Sequence, residues 1–224
     1  MKTRLILTVA MIAFELFSVQ AQADVLQFQS VTISRKGSAS KFVADSVECA
    51  KTNEYQPPAY ISRKTKYAKG PFVGMGFYGS IRRDEPKIST IALATCSAVF
   101  IDAKHSYLAH NWIGMQDLAQ TTRTIDARIK KANESATRAT FLLSYSDVYA
   151  ANADFKELRD NEYTAALCDV HAQFPNAKIT VVKSVKKDAE SDDFSVSRQP
   201  NGKLLYHVER WNRLKAYQTF DFIL

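Results

Sequence analysis

One cysteine and one histidine in the stretch TIALATCSAVFIDAKHSYLAHNW have the residue types of a nucleophile and its base. The stretch runs from Thr90 to Trp112, and Cys96 precedes His110 by fourteen positions. A cysteine attacks a carbonyl carbon as the thiolate, which a neighbouring imidazole can generate by taking the thiol proton. Such a site also needs a group that orients the imidazole and N–H donors that stabilise the oxyanion. The alternatives for Cys96 are a buried core thiol or half of a disulfide.

The apolar pattern around these two residues predicts a β-hairpin that brings them together. Residues 97–101 and 106–111 are mostly apolar and are separated by a short polar turn around Lys104. Cys96 lies one residue before the first segment, and His110 lies near the end of the second. Paired strands hold opposed Cβ atoms ~5 Å apart and diagonal ones ~7 Å apart. The hairpin is therefore expected to place the thiol beside the imidazole, with small neighbours that leave room for a substrate.

The N-terminus predicts export. Residues 1–23 begin with Lys2 and Arg4, continue with an apolar run and end on the small-x-small sequence AQA, as a cleaved signal peptide does. A membrane anchor is the alternative, but the run is shorter than the ~20 apolar residues that a bilayer span needs. We interpret residues 1–23 as a signal peptide and residues 24–224 as one domain. The protein is then secreted or periplasmic, with no stable membrane insertion after signal cleavage.

The cysteine count predicts one disulfide and one free thiol. Cys49, Cys96 and Cys168 are the three cysteines of the chain. In an oxidising compartment an odd count leaves one thiol unpaired. The context of Cys96 makes it the candidate free thiol, which leaves Cys49 and Cys168 as the candidate disulfide. Closing so long a loop would stabilise an exported fold by a few kcal/mol.

The composition gives no sign of a nucleic-acid or cofactor site. The net charge of +7 falls by one when Lys2, Arg4 and Glu15 leave with the signal peptide, and the basic residues are scattered. The segment PFVGMGFYGS spells a dinucleotide fingerprint, but its context is more typical of a glycine-rich strand that another backbone approaches closely. Cys168 and His171 have metal-like spacing without a second pair of ligands. We expect no nucleic-acid partner, no metal and no organic cofactor.

The periodicity along the chain predicts about eight strands and two long helices. The long helices are predicted over residues 115–132 and in the segment that Asn152 caps, and a short helix that carries Cys49 is predicted over residues 41–52. The predicted strands cover residues 25–35, 71–80, 88–94, 97–101, 106–112, 139–145, 177–184, 203–210 and 217–224. Residues 186–193 read as a charged turn. This order predicts an α+β fold, a layered α/β/β sandwich with mixed β-sheets in a single domain.

The residues around Cys96 resemble a family of cysteine-dependent glutamine deamidases. A threonine six residues before the cysteine, the apolar SAVFID segment, a polar turn and a strand ending in LAH are similar to the chemoreceptor glutamine deamidase CheD. The catalytic domains of cytotoxic necrotizing factor and Burkholderia lethal factor share this core. The matching residues are Thr90, Cys96 and His110, within about residues 88–111. The family usually has a glycine just before the cysteine, where this chain has Ala94 and Thr95.

The resemblance implies a cysteine-dependent hydrolase that converts a protein glutamine to glutamate and releases ammonia. Cys96 would attack the glutamine carboxamide, His110 would transfer the protons, and Thr90 would orient His110. A primary amine in place of water would give transglutamination. With export, the expected protein is a toxin or effector, a monomer that acts on a foreign protein bearing a reactive glutamine.

Neighbouring residues complete the predicted site. The predicted substrate-binding residues are Thr95, Ser97 and Asn111. The backbone N–H of Cys96 is a predicted oxyanion donor. Asp102 and Asn111 are alternatives to Thr90 as the group that orients His110.

Two other functions fit the same residues. A cysteine peptidase or amidase would use the same pair on a different bond, since the chemistry at the carbonyl carbon is the same. An exported binding module would instead bury Cys96 and dock an acidic partner on the basic and aromatic loop of residues 55–67. Ammonia release and thiol reactivity distinguish these functions.

Overall fold

The computed structural model describes residues 25–49, 65–112, 117–146 and 151–223, except the side chain of Phe155. The expected signal peptide, residues 1–23, and most of the loop of residues 55–67 lie outside these ranges. Of the described helices, none is long and apolar enough to cross a membrane.

Twelve strands and two helices are described. The strands are β1 (Val25–Ile33), β2 (Val43–Glu48), β3 (Lys66–Ala68), β4 (Phe77–Ile81), β5 (Lys87–Leu93), β6 (Ser97–Asp102), β7 (Ser106–Asn111), β8 (Arg138–Ser146), β9 (Lys178–Lys186), β10 (Ser191–Arg198), β11 (Leu204–Trp211) and β12 (Ala216–Ile223). The helices are α1 (Leu118–Lys131) and α2 (Ala153–Gln173).

The strands form two sheets, and the helices add a third layer. The larger sheet has the order β2-β1-β9-β8-β6-β7-β4-β3, and the smaller has the order β12-β11-β10-β5. The pairs β1–β9, β8–β9 and β3–β4 are parallel, and the other pairs are antiparallel. One apolar core lies between the large sheet and both helices, and a second lies between the two sheets. The predicted α+β fold with mixed sheets and two long helices is confirmed.

The strand β6 shows how the sequence builds both cores. All six of its residues are buried. Val99 and Ile101 belong to the core on the helix side, whereas Ala98 and Phe100 belong to the core between the sheets. A strand covered on both faces is apolar without alternation, which explains the continuous SAVFI sequence.

One local prediction is wrong, and a second has bounds that are too wide. Residues 43–48, predicted to be helical, form the edge strand β2, because pairing with β1 along its whole length outweighs local helix propensity. The charged turn predicted over residues 186–193 is present at residues 187–190, between the end of β9 and the start of β10. The charged side chains at its two ends suggested solvent, but Lys186 and Asp192 are fully buried and form an ion pair.

The predicted close backbone approach in the glycine-rich segment is confirmed. Gly79 lies on β4, which pairs with β3 in parallel. A Cβ atom at Gly79 would come within 2.9 Å of Val73 Cγ2 and 3.4 Å of the Ala68 carbonyl oxygen. Gly79 therefore serves packing, and no helix opens within this segment as a dinucleotide site requires.

The predicted cysteine arrangement is present. Cys49 and Cys168 form a disulfide that joins the segment after β2 to α2 across a sequence separation of 119 residues. Cys96 is a free, buried cysteine. The disulfide is compatible with the expected export.

Candidate active site

The hairpin formed by β6 and β7 places Cys96 and His110 on one face of the large sheet. Ala98 is directly opposite His110, and Cys96 lies two residues before Ala98. Alternate residues of a strand share a face, so Cys96 and His110 are diagonal neighbours. Cys96 belongs to the core between the two sheets, and both side chains therefore lie in that interior.

The hydroxyl of Thr90 holds the imidazole from the opposite sheet. Thr90 lies on β5, which pairs with β10 in the small sheet. Its Oγ1 is 2.7 Å from Nδ1 of His110, and both residues are buried. This contact fixes the ring orientation and leaves Nε2 as the ring nitrogen available for proton transfer. The alternative orienting group, Asp102, lies at the far end of β6 and binds Ser106 and Arg198 instead.

The thiol and the imidazole are neighbours that are not hydrogen-bonded to each other. Nε2 of His110 is buried and has no hydrogen-bond partner among the described residues. Cys96 is 3% exposed and His110 is 2% exposed. Buried nitrogen atoms are usually hydrogen-bonded, and a catalytic role is one explanation for an exception. This nitrogen lies on the same face as the one free cysteine of the described residues.

Burial keeps both groups uncharged near neutral pH. Burial, and then the positive charge of Lys186, lower the pKa of His110 to about 4. Burial raises the pKa of the Cys96 thiol to about 11, although Lys186 and the Thr95 hydroxyl act in the opposite direction. A preformed thiolate–imidazolium pair is therefore disfavoured in this conformation, and the resting site holds a thiol beside a neutral imidazole.

The predicted substrate-binding residues are divided between the two faces of the sheet. Thr95 is half-buried next to Cys96. The Ser97 hydroxyl bonds Tyr163 of α2 at 2.8 Å. Asn111 bonds Glu162 of α2 at 3.4 Å and accepts a bond from Thr121 of α1 at 2.8 Å. Ser97 and Asn111 thus face the helices, on the side of the sheet away from Cys96, and only Thr95 is brought to the candidate site.

The chain enters the site through a strained bulge. Ala92 has φ 59°, in the left-handed region that costs an L-residue about 1–2 kcal/mol. It lies where the β5–β10 register shifts, and its N–H donates to Asp193 Oδ1 at 2.9 Å. A cleft of 590 Å³ opens beside this bulge, with Ala92, Ala94 and Trp211 among its lining residues. Ala94, two residues before Cys96, is the lining residue of this cleft that lies closest to Cys96 in sequence.

Substitutions of Ala92 test this strain. Ala92→Gly should leave the free energy of unfolding nearly unchanged, because relief of the left-handed strain offsets the added entropy of the unfolded chain. Ala92→Val should destabilise clearly, since a β-branched residue is disfavoured at positive φ. Urea denaturation measures both. Ala98→Gly is the control in an ordinary strand position, where lost burial and flexibility should cost about 1–2 kcal/mol; an equal cost at Ala92 would contradict the strain.

A buried ionic cluster, which was not predicted from the sequence, lies behind the Cys96 segment. Lys186, Asp192 and Arg210 are fully buried. Asp192 accepts from Lys186 Nζ at 2.7 Å and from Arg210 Nε at 3.1 Å. Burial alone would raise the pKa of Asp192, but these two cations hold it below its usual value. The apolar alternation of β9, in which Lys186 takes a buried position, is the sequence signal that could have revealed the cluster.

A second set of hydrogen bonds fixes the backbone at Cys96. The Ser144 hydroxyl donates to the Cys96 carbonyl oxygen at 2.5 Å, and Lys186 Nζ donates to the same hydroxyl at 3.1 Å. Tyr163 donates to the Ser144 carbonyl oxygen at 3.1 Å. The segment that carries the thiol is thus held by β8, β9 and α2 rather than by its own hairpin alone.

No group of three or more His, Cys, Asp or Glu side chains capable of holding a metal is formed by the described residues. His207 contacts Asp221 at 2.7 Å and His105 contacts Glu134 at 2.5 Å, both at the surface and away from Cys96. Comparison of the chain with protein-family models, with curated proteins and with solved structures gives no match.

Proposed function

We propose that this protein is a cysteine-dependent protein-glutamine deamidase with Cys96 as the nucleophile and His110 as the general acid and base. The observation that carries the proposal is the arrangement of His110. Its Nδ1 is held by Thr90, its buried Nε2 is unpartnered, and the free cysteine lies on the same face of the sheet. The order of the three residues also resembles the deamidase family named above.

The proposed reaction proceeds through a thioester. The Cys96 thiol transfers its proton to Nε2 of His110 as sulfur attacks the glutamine carboxamide carbon. The tetrahedral intermediate collapses, and the same proton passes to the leaving nitrogen, which departs as ammonia. His110 then deprotonates a water molecule that attacks the thioester, and the proton returns to the departing sulfur. The product is glutamate on the target protein and regenerated enzyme.

The resting electrostatics favour general-base catalysis over a preformed ion pair. With a His110 pKa of about 4 and a Cys96 pKa of about 11, neither group is charged at neutral pH. The proton therefore moves during the attack, when the developing oxyanion and leaving group compensate the charges. Substrate binding must also bring Nε2 and the sulfur into hydrogen-bond contact, and the cleft beside Ala92 and Ala94 is the proposed path for the glutamine side chain.

A proteome-wide test identifies the reaction and the target together. Mature protein is incubated with a lysate of foreign cells, and peptides are analysed by mass spectrometry for conversion of glutamine to glutamate. We expect conversion at one or a few sites, abolished in Cys96→Ser and reduced at least about 10²-fold in His110→Ala, the usual cost of losing a general base. Thr90→Val should lower the rate less, because it loosens the ring without removing it.

The same experiment contains its controls. Ser106→Ala, in the hairpin but away from the pair, should retain full conversion. New peptide termini that depend on Cys96 would favour the peptidase, and adducts with an added primary amine would indicate transglutamination. Conversion that persists in Cys96→Ser, or no chemical change dependent on Cys96, would contradict the proposal.

The burial of the pair favours the binding module as the second candidate. A thiol and an imidazole that are 3% and 2% exposed, without a hydrogen bond between them, also fit a packed core. In that case Cys96→Ala would leave every activity of the protein intact, and the protein would act by docking alone.

A further inference from the structure

Lys186 is surrounded only by hydrogen-bond acceptors. Its Nζ donates to the Leu93 carbonyl oxygen, to Asp192 Oδ2 at 2.7 Å and to Ser144 Oγ at 3.1 Å. The Ser144 hydroxyl has its proton committed to the Cys96 carbonyl, so it accepts from Lys186. Three acceptors require three N–H donors, which only the ammonium form has. The geometry therefore keeps Lys186 protonated. Burial lowers the pKa of Lys186, and the nearby Asp192 carboxylate raises it by a smaller amount.

The cluster around Lys186 has a surplus positive charge. Asp192 is the one carboxylate of the cluster, and it is shared between Lys186 and Arg210. Three of the other four N–H donors of Arg210 bind Ser184 and the carbonyls of Ser34 and Val185. Within the cluster, two cations therefore share one carboxylate, in an interior where charges interact strongly.

This surplus charge lies at the Cys96 segment. Lys186 binds the carbonyl of Leu93, three residues before Cys96, and reaches the carbonyl of Cys96 itself through Ser144. The charge that acts on the Cys96 thiol is that of Lys186, and the neutral His110 lies on the neighbouring strand. A positive charge so placed favours a thiolate and disfavours an imidazolium.

We infer that Lys186 is a positioning residue of the proposed site, which fixes the backbone on either side of Cys96 and supplies the positive charge that stabilises its thiolate. The inference rests on the proposed function and names the charge that stabilises the thiolate of the proposed deamidase. The thiolate that attacks the glutamine would be balanced by a buried ammonium, which leaves His110 free to carry the proton. His110 then need not be charged before the substrate arrives.

The test is the rate at which methyl methanethiosulfonate modifies Cys96 in the folded mature protein. The readout is unambiguous because the other two cysteines form the disulfide. In Lys186→Met at pH 8 we expect the rate to fall about tenfold, since loss of a nearby opposite charge raises a thiol pKa by about two units and the greater nucleophilicity of the more basic thiolate offsets about half of that change. A merely structural role predicts the opposite sign, because a loosened site exposes the thiol and accelerates modification.

Lys186→Met should fold, because Asp192 and Arg210 remain as a balanced pair. If the methionine variant does not fold, Lys186→Gln takes its place, because glutamine keeps a hydrogen-bond donor to the carbonyls but lacks the charge. The modification rate should fall in this variant as well. Ser144→Ala retains the charge, so its modification rate should not fall. An unchanged or faster rate in both Lys186 variants would overturn the inference.

The inference and the proposed function can fail separately. Slower modification of Cys96 in the Lys186 variants, without any glutamine conversion by the unsubstituted protein, would support the role of Lys186 and contradict the deamidase activity. Glutamine conversion that depends on Cys96, with an unchanged modification rate in the Lys186 variants, would retain the deamidase and remove the role of Lys186.

Discussion

Asp192→Asn should destabilise the protein by about 3–5 kcal/mol, the cost of leaving buried charges without their partner. Asp192 is the carboxylate that separates Lys186 and Arg210, which are both fully buried. Asparagine keeps the size of the side chain and one hydrogen-bond acceptor. The fall in the free energy of unfolding therefore reports the effect of removing the negative charge. Because single domains are stable by about 5–15 kcal/mol, the variant should unfold at a much lower urea concentration than the unsubstituted protein.

Two further variants identify the cause. Asp221→Asn removes an exposed carboxylate that is hydrogen-bonded to His207 and should cost less than about 1 kcal/mol. Adding Lys186→Met to Asp192→Asn removes one of the two stranded cations and should recover part of the loss. A cost at Asp192 no greater than at Asp221, or no recovery in the double variant, would show that the buried cluster is not held by this carboxylate.

Removal of the disulfide should cost about 2–5 kcal/mol. The bridge closes a sequence separation of 119 residues, and the entropy of the unfolded chain that a cross-link removes grows with loop length. Cys49→Ala together with Cys168→Ala is the variant of choice because it leaves Cys96 as the only thiol of the chain. The measurement is urea denaturation under non-reducing conditions.

Reduction of the unsubstituted protein provides the control. It should lower the midpoint of urea denaturation to that of the double variant, whereas the double variant itself should not respond to reductant. Cys96→Ser should leave the response to reductant intact. A loss below about 1 kcal/mol would mean that the unfolded chain retains enough structure to make the cross-link redundant.

The parts of the fold that were predicted are those that local pattern determines. The hairpin of β6 and β7 has two apolar segments and a short polar turn, and its register follows from the turn. Both long helices carry apolar faces and polar caps, such as Asp117, which accepts the N–H of Ala119. Thr90 was suggested by the resemblance to the deamidase family, and the structure adds that it reaches His110 from the other sheet.

The parts that were missed depend on pairing between distant segments. The edge strand β2 has weak alternation of its own and is a strand because β1 lies beside it. Lys186 and Asp192 are buried charged residues that pair across β9 and β10, and Asp192 also accepts from Arg210 on a third strand. Ser97 and Asn111 flank the candidate pair in sequence, but strand alternation turns their side chains to the helices.

The burial of Cys96 also determines the redox stability of the protein. Exchange between a thiol and a disulfide requires a thiolate that reaches a sulfur of the bridge. With a pKa of about 11, Cys96 is a thiolate in only about one molecule in ten thousand at pH 7. The large sheet also lies between the reactants, because Cys49 packs against the core on the helix side and Cys96 lies in the core between the sheets. A protein with an odd thiol in an oxidising environment can thereby retain one disulfide pairing for as long as it stays folded.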